Sequence, residues 1–590
     1  MEDVLDYIKK HRADLVAGTL LVLLTGLLHY RALSNYWLFD DLQILRQAYE
    51  HRPWEYFFIP SVWHEASVSN FTPWVTLSFD LDFSLFGFRP VFFYFHQFIA
   101  VWLASVMLYA ALRLWVPRSY AFCGSLLFSV SAPVIFSAEF LCLRHYVEGS
   151  VFILTSLLFF VYSLRKNNFR LAFISAIAYL LAMLAKEVYI PFIFVILFLP
   201  EKKWSSRFIF ALPHLAAFSS YLVWRSHMLG RTIGGYESKL FQNGMLSEIR
   251  RVVFVNGGES LKMLAGISPI SGLVDIVLIA VTVLLLLAAL LLRARRRKFA
   301  GIIFAAVLVA SLYAPISPYF TPFSAAAFET YRLLFHFSLG YAFLIVLVAY
   351  ELSLTGKGPA TVHGTRRGTW MLLIPAVMAS LISLSSYLWL NKQREDVVGP
   401  LTAEGRFLME SDSNNIMVKS NILPNDAYYE MMDYFRRLYK RQQIPDVAHD
   451  VFFGVGDDSA SDLQGRRVFK YDGTRKGMTD VTQEFLVKRQ AYFSRVRKVP
   501  LQVRLEIKGG AAGYSLGPGD TGRYFLLVGY RPGVYNTMMG PLNRSWPDKV
   551  FVGKSRWYVR FGWESSEGWV TFSPEWFVDF SKDREIVWRR

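Results

Sequence analysis

Long apolar runs separated by short, mostly basic stretches dominate the first two thirds of the chain. Runs near 14–32, 92–114, 120–140, 147–164, 208–224, 272–292, 299–314, 333–352 and 369–390 each approach the ~20 apolar residues that cross a bilayer as a helix. The stretch 171–200 divides at "AKEVYIP" into two runs, each too short to cross. Both of its flanks, "RKNNFR" at 165–170 and "EKKWSSR" at 201–207, are basic, so a hairpin of two short helices keeps both on one side. The pattern predicts a polytopic α-helical membrane protein of about 11 spans over residues 1–390. After Leu390 the pattern changes to that of a soluble domain, 391–590. It has a helical stretch at 425–442, "NDAYYEMMDYFRRLYKRQ". Beyond 500, "LQVRLEIKGG", "RYFLLVGY", "RWYVRFGW" and "WVTFSPEWFVDF" read as antiparallel strands. This second region is expected to be an outward-facing α+β domain, β-sandwich-like in its last part. Its tryptophans, among them Trp557, Trp563, Trp569 and Trp576, suit either a sandwich core or sugar stacking.

Composition sharpens this picture. Of 590 residues, 54% are hydrophobic and 16% aromatic, outside the range of soluble domains. The net charge of +17 comes largely from clusters between apolar runs: "KKHR" at 9–12, Arg113 with Arg118, "RARRRK" at 293–298 and "HGTRR" at 363–367. These place the N-terminus inside and the segments 31–91, 141–146, 225–271, 315–332 and everything after 391 outside. The charge therefore encodes topology, and no nucleic-acid partner is expected. No small-residue cleavage site follows the first run, about Leu15 to Tyr30, which is expected to stay as a signal anchor. The only cysteines, Cys123 and Cys142, lie in or beside predicted spans, so the outer domain has no disulfide. A bacterial inner membrane is the expected location.

Candidate chemistry gathers at the outer surface. "NYWLFDDLQIL" (35–45) places Asp40 and Asp41 just after the first run. A carboxylate there can accept a proton from a hydroxyl, or bind a divalent metal such as Mg or Mn with its neighbour. Asp40 equally suits an N-cap, with Asp41 in the first helical turn. Cations that could hold a phosphate are Arg144 beside His145, Lys186 beside Glu187, Arg225 and Arg332. Singly, such residues also snorkel to headgroups. His64, Glu139 and Glu329 complete the candidate set. His64 with Glu65 lacks a second histidine at helical spacing, and no Walker or dinucleotide glycine motif occurs.

"FDD", "NFTPWVTLSFDLDFSLFGFRPVFFYFHQFIAVWLAS" (70–105), "LLAMLAKEVYIPFIF" (180–194) and "PISPYFTPFSAAAFETYRLLFHFSLGYAF" (315–343) occur in this order. Together they resemble the membrane-embedded glycosyltransferases of the GT-C fold, in the protein O-mannosyltransferase-like branch that includes members with C-terminal tetratricopeptide repeats. The resemblance covers about 1–390. It implies inverting transfer of a sugar from a polyprenyl-phosphate donor to an acceptor hydroxyl on a protein, glycolipid or polysaccharide at the outer face. It also implies Asp40 as base with Asp41 beside it, and functional roles for Lys186, Glu187 and the Glu329–Arg332 segment. Relatives often carry arginine where this chain has Thr72, and the 34-residue repeat period is absent here. Two other classes fit a polytopic chain: a lipid or solute transporter or flippase, and a non-catalytic scaffold of the same fold. A transporter is expected to show repeated halves and charges near the midplane.

Overall fold

The computed structural model describes the chain apart from residues 1, 233–256, 294–299, 314–327, 355–362, 420–425, 455–462, 464, 509–510, 519–520, 552–555, 581 and 590. It divides into two compact units, Met1–Arg394 and Glu395–Arg590. The basic cluster at 293–298 and most of the segments 225–271 and 315–332 lie outside the described residues.

The first unit begins with α1 (Glu2–His29), α2 (Asp41–Glu50), α3 (Pro53–Phe58), α4 (Pro60–Ala66), α5 (Pro73–Phe86) and α6 (Pro90–Leu112). It continues with α7 (Arg118–Ser129), α8 (Ala132–Glu139), α9 (Arg144–Lys166), α10 (Phe169–Ala185), α11 (Phe192–Leu197) and α12 (Trp204–Leu229). Among the described residues six helices are long and apolar enough to cross a membrane: Arg12–Ser34, Pro90–Leu112, Leu141–Lys166, Ser271–Ala288, Phe335–Leu354 and Trp370–Glu410. This is a polytopic α-helical membrane protein.

The other expected spans differ for local reasons. The 120–140 run is broken into α7 and α8, which meet at 55°. Ser131 is extended there, and Pro133 in the first turn of α8 has no amide to continue the ladder. The 299–314 run is helical over its described residues, Ala300–Tyr313. The 208–224 run lies in α12, which contains Pro213 and buries His214 and Arg225. In the 171–200 stretch, Asn168 caps α10 by accepting from the Arg170 amide (3.0 Å), and the helix stops at the extended Lys186. A single turn, Glu187–Tyr189, then leads through Pro191 into α11. Arg165 pairs with Glu201 at 2.6 Å, so the two flanks of this stretch meet at one end of the unit.

Small residues bring the central helices together. Ser175 of α10 donates to the Ser156 carbonyl of α9 at 2.6 Å, and Ser129 of α7 reaches Ser105 Oγ of α6 at 2.8 Å. Gly149 of α9 lies against Tyr189, where a Cβ would come within 2.4 Å of the ring. Gly149→Ala should therefore overpack this contact and cost about 1–3 kcal/mol. A lowered thermal midpoint in detergent, partly restored by Tyr189→Leu, is the expected result.

In the second unit, β1 (Ile416–Val418) lies between β2 (Asp446–Ala448) and β3 (Val468–Asp472), parallel to both, and β4 (Gly477–Asp480) adds antiparallel to β3. The helix Asp426–Lys440 links β1 to β2. Two antiparallel sheets follow. One has the order β13-β5-β6-β9, from β5 (Gln502–Lys508), β6 (Ala511–Gly517), β9 (Ser545–Phe551) and β13 (Arg584–Arg589). The other has the order β11-β10-β7-β8, with β12 on β10, from β7 (Gly522–Gly529), β8 (Thr537–Leu542), β10 (Arg556–Ser565), β11 (Val570–Phe572) and β12 (Trp576–Asp579). Strict alternation in β5 turns Val503, Leu505 and Ile507 inward, and they share one core with Trp557, Val559 and Phe561 of β10. Trp563, Trp576 and Trp588 pack against that core, whereas Trp569 is exposed under the Arg497 guanidinium, 4.3 Å from its ring.

Candidate functional site

The loop between α1 and α2 is fastened before it presents its acids. Asn35 donates to Glu139 Oε2 (3.1 Å), Tyr94 donates to the Tyr36 carbonyl (3.1 Å), and Trp37 and Leu38 are buried. Phe39 takes a φ of +46°, sparsely populated for a residue with a Cβ, and turns the chain into α2. Asp40 occupies the N-cap position but makes no capping hydrogen bond, and its side chain is exposed. Asp40 at the N-cap and Asp41 in the first turn are thus where the sequence put them, but without a capping bond the two acids divide their tasks differently. Asp41 is fully buried, accepting from the Leu38 amide (2.8 Å) and from the Cys142 amide (2.7 Å). Burial pushes its carboxyl up to about 7 despite those two donors, with the Asp40 charge adding to the rise. Asp41 therefore ties the loop to the Leu141–Leu143 turn that precedes α9.

Beside this turn lie the cations. Lys186 Nζ sits 4.9 Å from the Tyr146 ring centroid, and among the described residues no carboxylate pairs with it. His145 has Lys186, Arg332 and His336 as charged or polar neighbours, and Cys142 lies within electrostatic reach of Asp40, Asp41 and Arg332. His336, which the sequence reading passed over, is buried, and among the described residues neither ring nitrogen has a hydrogen-bond partner; its ring meets Tyr146 at 5.1 Å and Tyr189 at 4.6 Å. Asp40, Arg332, His145 and Lys186 thus gather around the start of α9. Glu329 lies in the helix Phe328–Leu333 with Arg332, but its side chain is outside the described residues.

The other candidates hold the scaffold. Arg144 is fully buried and donates to Asp82 (2.6 Å), Ser78 Oγ (3.1 Å) and the Phe93 carbonyl (2.7 Å), so its guanidinium is committed within the helices. Arg225 donates to Glu187 at 2.7 Å, and Glu187 also accepts from the Phe71 amide at 2.8 Å, joining α12 to the segment before α5. Glu139 is buried against Arg394 at 2.5 Å. His64 is exposed and stands apart; its neighbour Glu65 instead meets His51 at 3.1 Å. Glu50, His51 and Glu65 offer ligand atoms within 4.8 Å of one another, a possible divalent-metal set. An imidazole with two carboxylates suits Mn better than Mg. Both oxygens of Asp41 already accept from amides, leaving Asp40 as the acid of that pair with room for a ligand.

No family model matches the chain, and no curated protein matches it in sequence. Several solved structures resemble it in shape, three of them as follows. ArnT from Cupriavidus metallidurans, bound to undecaprenyl phosphate, is 11% identical, with a TM-score of 0.41 over 82% of this chain and 92% of that one. The oligosaccharyltransferase AglB from Archaeoglobus fulgidus, in complex with an inhibitory peptide and a dolichol-phosphate, is 12% identical, with a TM-score of 0.42 over 86% of this chain and 74% of that one. The Archaeoglobus fulgidus oligosaccharyltransferase tethered to an acceptor peptide gives 12% identity and a TM-score of 0.37 over 87% of this chain and 75% of that one. Likeness of this degree does not define a shared fold, and the site is argued from its own residues.

Three further ionisable residues belong to the same end of the helices. Asp82 of α5, His96 of α6 and Glu148 of α9 join Arg144 in one network: His96 Nδ1 is 2.8 Å from Asp82 Oδ1, and His96 Nε2 is 3.3 Å from Glu148 Oε1. Glu148 also accepts from Trp74 and Ser78, each at 2.7 Å. The signal was present in the sequence, since ionisable residues inside apolar runs are functional candidates by default.

Proposed function

We propose that this chain is a GT-C-type glycosyltransferase that moves a sugar from a polyprenyl-phosphate donor to an acceptor hydroxyl at the outer membrane face. The observation that carries this reading is the gathering of exposed Asp40 with Arg332, His145 and Lys186 around the first turn of α9. The ordered motifs that resemble the GT-C glycosyltransferases support it. In the proposed step the Asp40 carboxylate takes the acceptor hydroxyl proton as the acceptor oxygen bonds to the anomeric carbon. The bond from that carbon to the phosphate oxygen breaks, and its electron pair leaves with the polyprenyl phosphate. Lys186 and Arg332 stabilise the charge developing on that oxygen. His145 and His336 line the same region and complete its polar wall. Arg144 and Arg225, spent on Asp82 and Glu187, are assigned to the scaffold in this reading. The chain would lie in a bacterial inner membrane with its second unit outside.

The test is transfer by purified protein in lipid, given radiolabelled undecaprenyl-phosphate sugars and a total envelope acceptor fraction. Label moving to an acceptor supports the reading, and the labelled product identifies that acceptor. Donor crossing the bilayer with no transfer would favour the transporter class, and binding with neither would favour a scaffold. Lys186→Met should weaken binding of undecaprenyl phosphate roughly tenfold, the scale of one charge-assisted contact. Equal binding by the variant, measured by titration in nanodiscs, would remove Lys186 from the phosphate site.

A further inference from the structure

The second unit holds a polar cleft that the transfer step leaves unused. β1, β2 and β3 run parallel with Ile416, Asp446 and Val468 side by side, so the segments entering all three strands arrive at one end of the sheet. There Ser413, Asp446 and Arg466 line a cleft of about 640 Å³, together with Arg437 and Gln443 from the end of the helix Asp426–Lys440 and the loop after it. Arg531, from the turn between β7 and β8, also lines it. The volume is that of a small-molecule site, roughly 300–1,000 Å³. Eight of the eleven residues that line it are polar or charged, so its ligand must be polar too.

The cations of this cleft are fixed in advance. Asp446 accepts from Arg466 at 2.6 Å and from Arg531 at 2.7 Å, and Asp433 accepts from Arg531 and from Arg437, each at 2.7 Å. The guanidinium carbons of Arg466 and Arg531 also lie 4.9 and 5.1 Å from the ring centroids of Phe453 and Tyr530. Three guanidiniums on two carboxylates leave one positive charge. Arg436 and Asp412, one bond further out on Gln442 and the Asn414 amide, cancel each other. The network also leaves donors over. Arg437 donates only through Nε, so among the described residues both terminal nitrogens of its fork have no partner, and neither has Arg466 Nη1. The same holds for the side chains of Ser413 and Gln443.

We propose that this cleft binds a saccharide carrying a carboxylate, a hexuronate unit, with the Arg437 fork on the carboxylate and Ser413, Gln443 and Arg466 Nη1 on the sugar oxygens. A guanidinium end presents two parallel N–H donors to the two carboxylate oxygens. One surplus positive charge matches a carboxylate better than a phosphate monoester, which carries about −1.5 to −2 at pH 7. A sugar hydroxyl both donates and accepts, as do the hydroxyl and amide side chains that face it. An acidic peptide would bring apolar groups as well, and Ile444, Pro532 and Val534 are the apolar side chains in the lining. The site uses neither Asp40 nor Lys186 and does not rest on the glycosyltransferase reading.

The test is a titration of full-length protein in nanodiscs with trigalacturonate, its trimethyl ester, glucose 6-phosphate and a triglutamate peptide at equal ionic strength. Trigalacturonate should bind, and the neutral ester roughly tenfold more weakly, the scale of one charge-assisted contact. Arg437→Gln should lose the same factor for the acid and none for the ester. Arg437 is 54% exposed, and Asp433 keeps Arg531 and the Ile444 amide (2.9 Å), so this variant should hold its thermal midpoint. Ser413→Ala should weaken acid and ester alike, separating the sugar body from its charge. The proposal is overturned if trigalacturonate does not bind, or if a folded Arg437→Gln binds it as the parent does. It is equally overturned if triglutamate or glucose 6-phosphate binds as tightly, which would make this a peptide or simple anion site. Should Arg437→Gln not fold, equal binding of acid and ester by the parent overturns it alone. No turnover is measured, so failure of sugar transfer leaves this result standing.

Discussion

Asp40→Asn is expected to lower sugar transfer by roughly 10²–10⁴-fold, the usual contribution of a positioned general base, while leaving the protein folded. The side chain is exposed and makes no capping bond, and an isosteric amide removes its capacity to accept a proton. Donor affinity should change little, because the phosphate is proposed to sit on Lys186 and Arg332. The neighbouring variant should behave in the opposite sense. In Asp41→Asn an amide NH2 must face either the Leu38 or the Cys142 amide, leaving a buried donor unsatisfied. That costs about 1–3 kcal/mol, seen as a lowered thermal midpoint before any kinetic assay. The comparison is made on both variants purified in the same lipid, with size exclusion as the check on folding. Transfer surviving Asp40→Asn at more than half the wild-type rate would place the base elsewhere. An unchanged midpoint in Asp41→Asn would mean that the loop is not held by those two amides.

The contrast between the two aspartates marks how far the sequence can be read. Their position just after an apolar run was legible, because hydropathy marks where that run ends. Which acid is buried was not: that depends on the Cys142 amide, 101 positions away, and on the positive φ of Phe39. Lys186 was legible as a break in an apolar stretch, since two half-length runs around "AKEVYIP" require a turn there. Arg144 read as a surface cation because it lies between the apolar runs 120–140 and 147–164. Its partner Asp82 sits in "FDLDFSLF", a stretch whose apolar neighbours suggest only a helix, and no local pattern says that the two meet. Among the described residues, helix chemistry interrupts the apolar runs at Ser131 and Pro133, and α12 carries buried polar groups that no hydropathy pattern announces. In the second unit, alternation in β5 announced its strand. The three-residue parallel strands β1 and β2 are too short to show a period, so only the helix between them was anticipated.

Arg144→Met is expected to destabilise the first unit by about 3–5 kcal/mol, the range for removing one partner of a buried ion pair. The argument runs through what remains. Asp82 keeps its charge at 4% exposure but loses a donor at 2.6 Å, and the Phe93 carbonyl and Ser78 lose theirs. The ring faces of Phe79 and Phe93, 4.9 and 5.6 Å from the guanidinium carbon, keep apolar contact with Met but lose the cation. Arg144→Lys should recover only part of the loss. A single ammonium can neutralise Asp82 but cannot reproduce the fork that also reaches the Phe93 carbonyl. Removing both charges together, Arg144→Met with Asp82→Leu, should cost less than Arg144→Met alone, because no carboxylate is then left without its counter-ion. Thermal midpoints of the three variants in one detergent decide the matter. A double variant worse than the single would show that Asp82 contributes through His96 more than through Arg144, shifting the weight of the network from the ion pair to the imidazole.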